Sequence, residues 1–176
     1  MKDERAFLEV LQYAMRNERL GHRFYIRAME MTAAETGRKM FQSIASDEVE
    51  HLSILQREFE SLKKTGNWVN LEEAQAGKRP ALPPPLFPEE EAQVQEMIAK
   101  RASDLDALDL ALDLERRGYQ LYHKEAEQTD NLAAKAVYEY LSEEENKHFA
   151  RLQKARNYLA SDGAWHWDDV HPPMLD

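Results

Sequence analysis

Two Glu-x-x-His pairs stand out in the chain: Glu48 with His51, and Glu145 with His148. Residues three apart on a helix share a face, so each pair aims a carboxylate and an imidazole at one point. A single pair is weak evidence, because Glu and His at this spacing are common on exposed helices. Here there are two, each in the middle of an apolar stripe. Two more glutamates, Glu18 and Glu115, fall on the apolar stripes of other segments. Four carboxylates and two imidazoles suit two divalent ions of iron or manganese. The charges of such a site cancel, which is what lets it be buried. Without metal the carboxylates would repel one another and have to take up protons. Glu48 and Glu145 are expected to bridge the ions, with Glu18 and Glu115 each holding one. His51 and His148 would each ligate one ion through neutral imidazole.

Four helices must position these groups. Apolar residues at helical spacing predict a first helix from about Asp3 to Thr32, with Glu18 on its buried stripe beside Leu11, Ala14, Gly21, Tyr25 and Ala28. A second is predicted from about Arg38 to Lys64, with Gly66 as its C-terminal cap. A third runs from near Pro88 to about Gln128, and a fourth from about Leu132 to Ala160, stopped by Gly163. Residues 71–88 hold five of the seven prolines, Pro83, Pro84 and Pro85 among them, and read as an extended connector. At ~3.1 Å per residue it reaches roughly 55 Å, against roughly 40 Å for the second helix at ~1.5 Å per residue. It can therefore travel the length of the bundle and set the third helix parallel to the second. The expectation is an all-α, antiparallel four-helix bundle forming one domain over residues 1–176. Its parts are a hairpin at about 3–66, a Pro-rich crossover at about 67–88, a second hairpin at about 89–162 and a tail at 163–176.

The hairpins are copies of one another. One offset without gaps carries Glu18 to Glu115, Glu48 to Glu145 and His51 to His148. It also carries Leu11 to Leu108, Gly21 to Gly118, Tyr25 to Tyr122, Gly66 to Gly163 and Trp68 to Trp165. An approximate two-fold axis follows, and a site on that axis receives matching ligands from both halves.

Composition removes other classes. The net charge of −10 argues against nucleic acid as a partner. With no Cys, disulfides, zinc fingers, thiol catalysis and a rubredoxin-type iron centre are excluded within this chain. No apolar run is long enough to cross a bilayer, and no apolar signal core follows Met1–Arg5, so a cytoplasmic location is expected.

These residues resemble the ferritin-like di-iron carboxylate superfamily, most closely its rubrerythrin-like branch. The resemblance spans all four helices. It rests on the two Glu-x-x-His pairs, on Glu18 and Tyr25 in Glu-Arg-Leu-Gly-His-Arg-Phe-Tyr, and on Glu115 and Tyr122 in Glu-Arg-Arg-Gly-Tyr-Gln-Leu-Tyr. It implies two iron ions per chain, manganese or a mixed pair being the alternative, bound by Glu18, Glu48, His51, Glu115, Glu145 and His148. It implies that Tyr25 and Tyr122 donate hydrogen bonds to the ligating carboxylates. Asp47 and Glu144, one turn before each His, are candidates to fix its tautomer. The pattern departs from rubrerythrins in two ways: the Cys-rich electron-transfer domain is missing, and Gly118 stands where they carry a further Glu. The second departure favours a symmetric site of the ferroxidase kind. The implied activity is oxidation of ferrous iron with reduction of dioxygen or hydrogen peroxide, fed by an external donor such as a rubredoxin-type protein, in a homodimer. The rival reading is a non-catalytic metal-binding or sensing module. His22 is expected to pack near the site, Gly21 and Gly118 to give close helix approach or room for a ligand, and Trp68 and Trp165 to cap the hairpin ends. The His166, Asp168, Asp169 and His171 cluster reads as a solvated tail.

Overall fold

The computed structural model describes residues 4–77 and 88–165. Among them are six helices: α1 (Glu4–Met31), α2 (Glu35–Thr65), α3 (Leu71–Gln75), α4 (Pro88–Ala99), α5 (Asp104–Gln128) and α6 (Leu132–Asp162). Helices α1 and α2 pack as one hairpin, α5 and α6 as the other. The result is the all-α, ferritin-like bundle that the stripes predict. Gly66 and Gly163 both close their helices in the left-handed conformation, at φ 72° and 66°, and each returns its N–H to a carbonyl of the last turn. The equivalence predicted from the repeat therefore extends to the backbone of the caps.

Two apolar clusters fill the interior. One joins Leu11, Leu55, Leu62, Tyr122, Val137 and Leu141. The other joins Phe24, Phe41, Ile44, Leu108, Ala111 and Leu152. The start of α1 and the end of α2 thus meet the end of α5 and the start of α6, so α2 and α5 run the same way. That direction is the one a long crossover permits.

The crossover differs from expectation at two places. Its first residues are not extended: Asn70 accepts a hydrogen bond from the Glu73 N–H and caps the short helix α3. The predicted third helix is not continuous either. It divides into α4 and α5, because Ser103 and Asp106 form a reciprocal cap. The Asp106 N–H donates to Ser103 Oγ at 3.2 Å, and the Ala102 N–H donates to Asp106 Oδ2 at 3.1 Å. Helix α4 then lies along α1. Arg19 reaches Glu90 at 2.6 Å, Arg23 faces Glu91 at 3.5 Å, and Val94 is wholly buried. At its end Arg101 donates to the Ala28 carbonyl and to Thr32 Oγ1. Helix α4 therefore returns parallel to α1 and delivers the chain to the start of α5. The Pro83–Pro85 run lies outside the described residues, as do His166, Trp167, Asp168, Asp169 and His171.

Glu58 is a buried acid outside the Glu/His cluster. It is wholly inaccessible and accepts the Val69 N–H at 3.1 Å. Burial pushes its carboxyl up to about 7. The folded state thus holds a proton that the unfolded chain releases near the ordinary carboxylate range. Its contribution is fully present at low pH and is lost as pH rises through about 7. Glu58→Gln keeps an acceptor for Val69 and removes the ionisation. Its melting temperature is expected to exceed wild type by a margin that grows between pH 5 and pH 8. Thermal melts across that range check the sign; a margin that shrinks with pH contradicts it.

Candidate metal centre

Between the two apolar clusters the stripes on four helices turn polar at the same level. Glu18 comes from α1, Glu48 and His51 from α2, Glu115 from α5, and Glu145 and His148 from α6. All six are buried, none more than 4% exposed. They converge. His51 Nδ1 lies 3.3 Å from Glu18 Oε2 and 3.2 Å from Glu145 Oε1. His148 Nδ1 lies 3.3 Å from Glu115 Oε2 and 3.5 Å from Glu48 Oε1. The two imidazoles stack with centroids 5.6 Å apart. Donor atoms of Glu18, Glu48, His51 and Glu145 form one compact group, and those of Glu48, Glu115, Glu145 and His148 a second. Glu48 and Glu145 belong to both.

Each of the six side chains keeps one buried polar atom with no hydrogen-bond partner: Glu18 Oε2, Glu48 Oε1, His51 Nδ1, Glu115 Oε2, Glu145 Oε1 and His148 Nδ1. Orphaned buried acceptors are costly and demand a cause. Their separations of 3.2–3.5 Å approach the ~3 Å edge of a coordination shell with donors about 2.1 Å from an ion. The donor set fits a pair of divalent cations.

The electrostatics agree. Burial, and then the charges of Glu18 and Glu145, hold the Glu48 carboxyl well above its usual range. Burial, Glu115 and Glu18 do the same to Glu145. For His148, burial favours the neutral ring, but Glu115, Asp47 and Glu48 outweigh it and push its pKa well up. Burial opposes charge on His51 too, and the adjacent Glu18 carboxylate overcomes that. Cations would take the place of all these protons.

The surrounding shell is built across the hairpins. Tyr25 donates to Glu115 and Tyr122 donates to Glu18, each to a glutamate of the other hairpin. Burial, followed by the charge of the bonded glutamate, raises both phenols well above their ordinary value, so they remain donors. Asp47 does not hold the His of its own helix. Its Oδ2 lies 3.2 Å from His148 Nε2, across the axis. A proton on Nε2 leaves Nδ1 as the inward-facing acceptor. The equivalent Glu144 accepts instead from Lys147 at 2.6 Å. The one-turn spacing within each helix was the wrong guide, because the neighbouring helix lies closer to the outer ring nitrogen. His22 Nδ1 sits 2.9 Å from the Ala45 carbonyl oxygen and ties α1 to α2.

Gly21 and Gly118 have a specific purpose. A Cβ at Gly21 would stand 2.7 Å from Glu48 Oε2, and one at Gly118 2.5 Å from Glu145 Oε2. Each glycine clears the space that a carboxylate occupies. Gly118→Ala should therefore displace Glu145 while improving helix propensity by about 1 kcal/mol. The expected variant is helical, at least as heat-stable as wild type when metal-free, and deficient in metal by elemental analysis. Full metal content in Gly118→Ala would contradict this.

A cavity of about 100 Å³ reaches the cluster between α1 and α5. Glu18, Glu48, Glu115 and Glu145 line it, together with Gly21, Gly118 and Gln93 of α4. That space is large enough for molecules the size of water.

An antiparallel bundle with buried glutamates and histidines projecting inward from all four long helices defines the ferritin-like class of carboxylate proteins. The Rubrerythrin family model matches residues 9–156. The chain belongs to that family, and so to the di-iron carboxylate proteins. A hypothetical protein from Methanococcus jannaschii DSM 2661, known from its crystal structure, shares the fold with a TM-score of 0.66 and 20% identity, over 96% of this chain and 89% of that one. No curated protein sequence matches. Among the described residues no helix is long and apolar enough to cross a membrane.

Proposed function

We propose that the cluster holds two iron ions, and that the protein oxidises ferrous iron while reducing dioxygen or hydrogen peroxide. The observation that carries this reading is the set of six inward-facing orphan donor atoms beside a cavity with room for a small oxidant. On this reading Glu18 and His51 hold one ion, Glu115 and His148 the other, and Glu48 and Glu145 both. When bound, the ions supply electrons to the oxidant. The protein's own groups do the rest. Tyr25 and Tyr122 fix the orientation of Glu115 and Glu18. Asp47 sets which nitrogen of His148 faces inward. The apolar clusters on either side exclude bulk water, which strengthens every charge interaction within. A purely structural metal pair would not need a passage from the surface, so the cavity favours redox turnover over passive binding. Turnover draws electrons from a donor outside this bundle, because these 176 residues include no Cys to hold a rubredoxin-type centre.

Anaerobic loading with ferrous iron, followed by rapid mixing with dioxygen or hydrogen peroxide, tests the proposal. Expected is fast growth of near-ultraviolet absorbance that saturates at two ions per chain. Slow colour without fixed stoichiometry would overturn it in favour of a binding module.

A further inference from the structure

At one place the two-fold repeat fails in a chemically pointed way. From each end of the bundle an aromatic column runs inward to the cluster. At one end Trp165 meets Phe41 edge-on at 5.7 Å, Phe41 stacks on Tyr25 at 6.2 Å, and Tyr25 donates to Glu115. At the other Trp68 meets Tyr138 at 5.5 Å, Tyr138 stacks on Tyr122 at 6.3 Å, and Tyr122 donates to Glu18. The columns are equivalent under the sequence offset except that Tyr138 replaces Phe41. The first is interrupted by a ring that cannot be oxidised at biological potentials. The second consists of oxidisable rings throughout, and it ends at the half-buried Trp68.

The surroundings of Tyr138 depart from the repeat as well. Glu58 and Glu125 are buried, whereas their equivalents are Ala155 and Ala28. The Tyr138 hydroxyl, Glu58 Oε1 and Trp68 Nε1 are all buried without hydrogen-bond partners, whereas Trp165 Nε1 is bonded to Asp104 at 3.1 Å. Phenylalanine at 138 would pack equally well without stranding a hydroxyl, so packing does not account for the tyrosine. A phenol that loses an electron must also lose a proton to a base, and Glu58 and Glu125 are the buried carboxyls present at this end of the bundle and absent from the equivalent positions at the other. The charges of Glu58 and Glu125 both act on the Tyr138 phenol, which burial holds well above its ordinary value.

We infer that Tyr122, Tyr138 and Trp68 form a one-sided path for single oxidising equivalents, joining the cluster to the surface at that end of the bundle alone. The inference rests on the proposed redox function. Reducing the O–O bond of hydrogen peroxide takes two electrons and two protons and yields two waters. When the site holds only one ferrous ion, that ion gives the first electron. The second comes through Tyr122 from Tyr138, whose hydroxyl proton passes to Glu58 once that group is ionised, above about pH 7; the two protons that the peroxide oxygens take up come from solvent. The Tyr138 phenoxyl then takes an electron from the Trp68 indole and its proton back from Glu58, leaving an indole cation radical that a diffusible one-electron reductant such as ascorbate returns to Trp68. The path would spare the six ligands from oxidation when iron is short.

Two measurements test this. Protein loaded with one ferrous ion per chain is mixed with hydrogen peroxide and no reductant, then examined by freeze-quench electron paramagnetic resonance and by peptide mass spectrometry. Expected is a tyrosyl signal, with oxidation at Trp68 and none at Trp165. Tyr138→Phe, which strands no hydroxyl and should fold normally, loses Trp68 oxidation while still binding two ions. Phe41→Tyr gains oxidation at Trp165. Equal labelling of Trp68 and Trp165 in wild type, or unchanged Trp68 labelling in Tyr138→Phe, overturns the path. The second measurement needs no metal. A photogenerated ruthenium(III) complex oxidises Trp68 from solution, and transient absorbance reports whether a phenoxyl follows. Its presence in wild type and absence in Tyr138→Phe supports the path even if the iron reaction fails. Its absence in wild type overturns the path while leaving the proposed iron function standing.

Discussion

Removing metal from the loaded protein should lower its melting temperature by roughly 10–20 °C. Two sites at free metal about 100-fold above their dissociation constants stabilise the fold by about 5 kcal/mol, and a chain of this length shifts by about 2–4 °C per kcal/mol. The structural cause is the buried group of four carboxylates and two imidazoles, each with an orphan atom that only a cation can satisfy. Metal-free, the fold survives by holding protons: Glu48, Glu145, His51 and His148 are all raised above their ordinary values. A raised folded value contributes stability that is present at low pH and is lost as pH rises through it. The metal-free protein should therefore weaken toward alkaline pH. Bound metal removes that penalty, so the gap between loaded and metal-free melting temperatures should widen as pH increases. Calorimetry of both forms between pH 5.5 and 8.5 checks this, and ferrous binding in weak buffer should release protons. A gap that is constant or narrows with pH would mean that these groups do not exchange protons for cations.

Replacing Glu48 or Glu145 should cost both ions, whereas replacing Glu18, Glu115, His51 or His148 should cost one. The reason is geometric. Donor atoms of Glu48 and Glu145 belong to both compact groups, whereas the other four each belong to one. Glu48→Ala and Glu145→Ala should also discharge the cluster and relieve the repulsion that raises their carboxyls. The empty variants should then be more resistant to heat than empty wild type. His51→Ala and His148→Ala should retain about one ion per chain and remain dependent on metal for stability. Elemental analysis after anaerobic loading gives the counts directly. Two ions retained in Glu145→Ala, or none in His51→Ala, would show that the six residues divide in another way.

Much of this was readable in the chain because helices impose a period. Glu18, Glu48, His51, Glu115, Glu145 and His148 fall on buried stripes at fixed spacing, and a gapless repeat places them at equal heights. That was sufficient to expect a bundle with a central polar cluster. The caps at Gly66 and Gly163 were equally legible, since only glycine easily takes the positive φ found there. The division of α4 from α5 was encoded too, in Ser103 and Asp106, but helical periodicity on both sides concealed it.

Contacts between helices remote in sequence had no such signature. That Tyr25 bonds Glu115 and Tyr122 bonds Glu18, each across the bundle, depends on how closely the hairpins approach. That Asp47 serves His148 rather than His51 depends on the rotation of α2 against α6. The purpose of Gly21 and Gly118 emerged only when Glu48 and Glu145 were seen to occupy the missing Cβ positions. Sequence by itself determined which residues face inward, because that follows from local periodicity. Tertiary structure alone decided which inward-facing residue meets which, because that follows from the distance and rotation between helices.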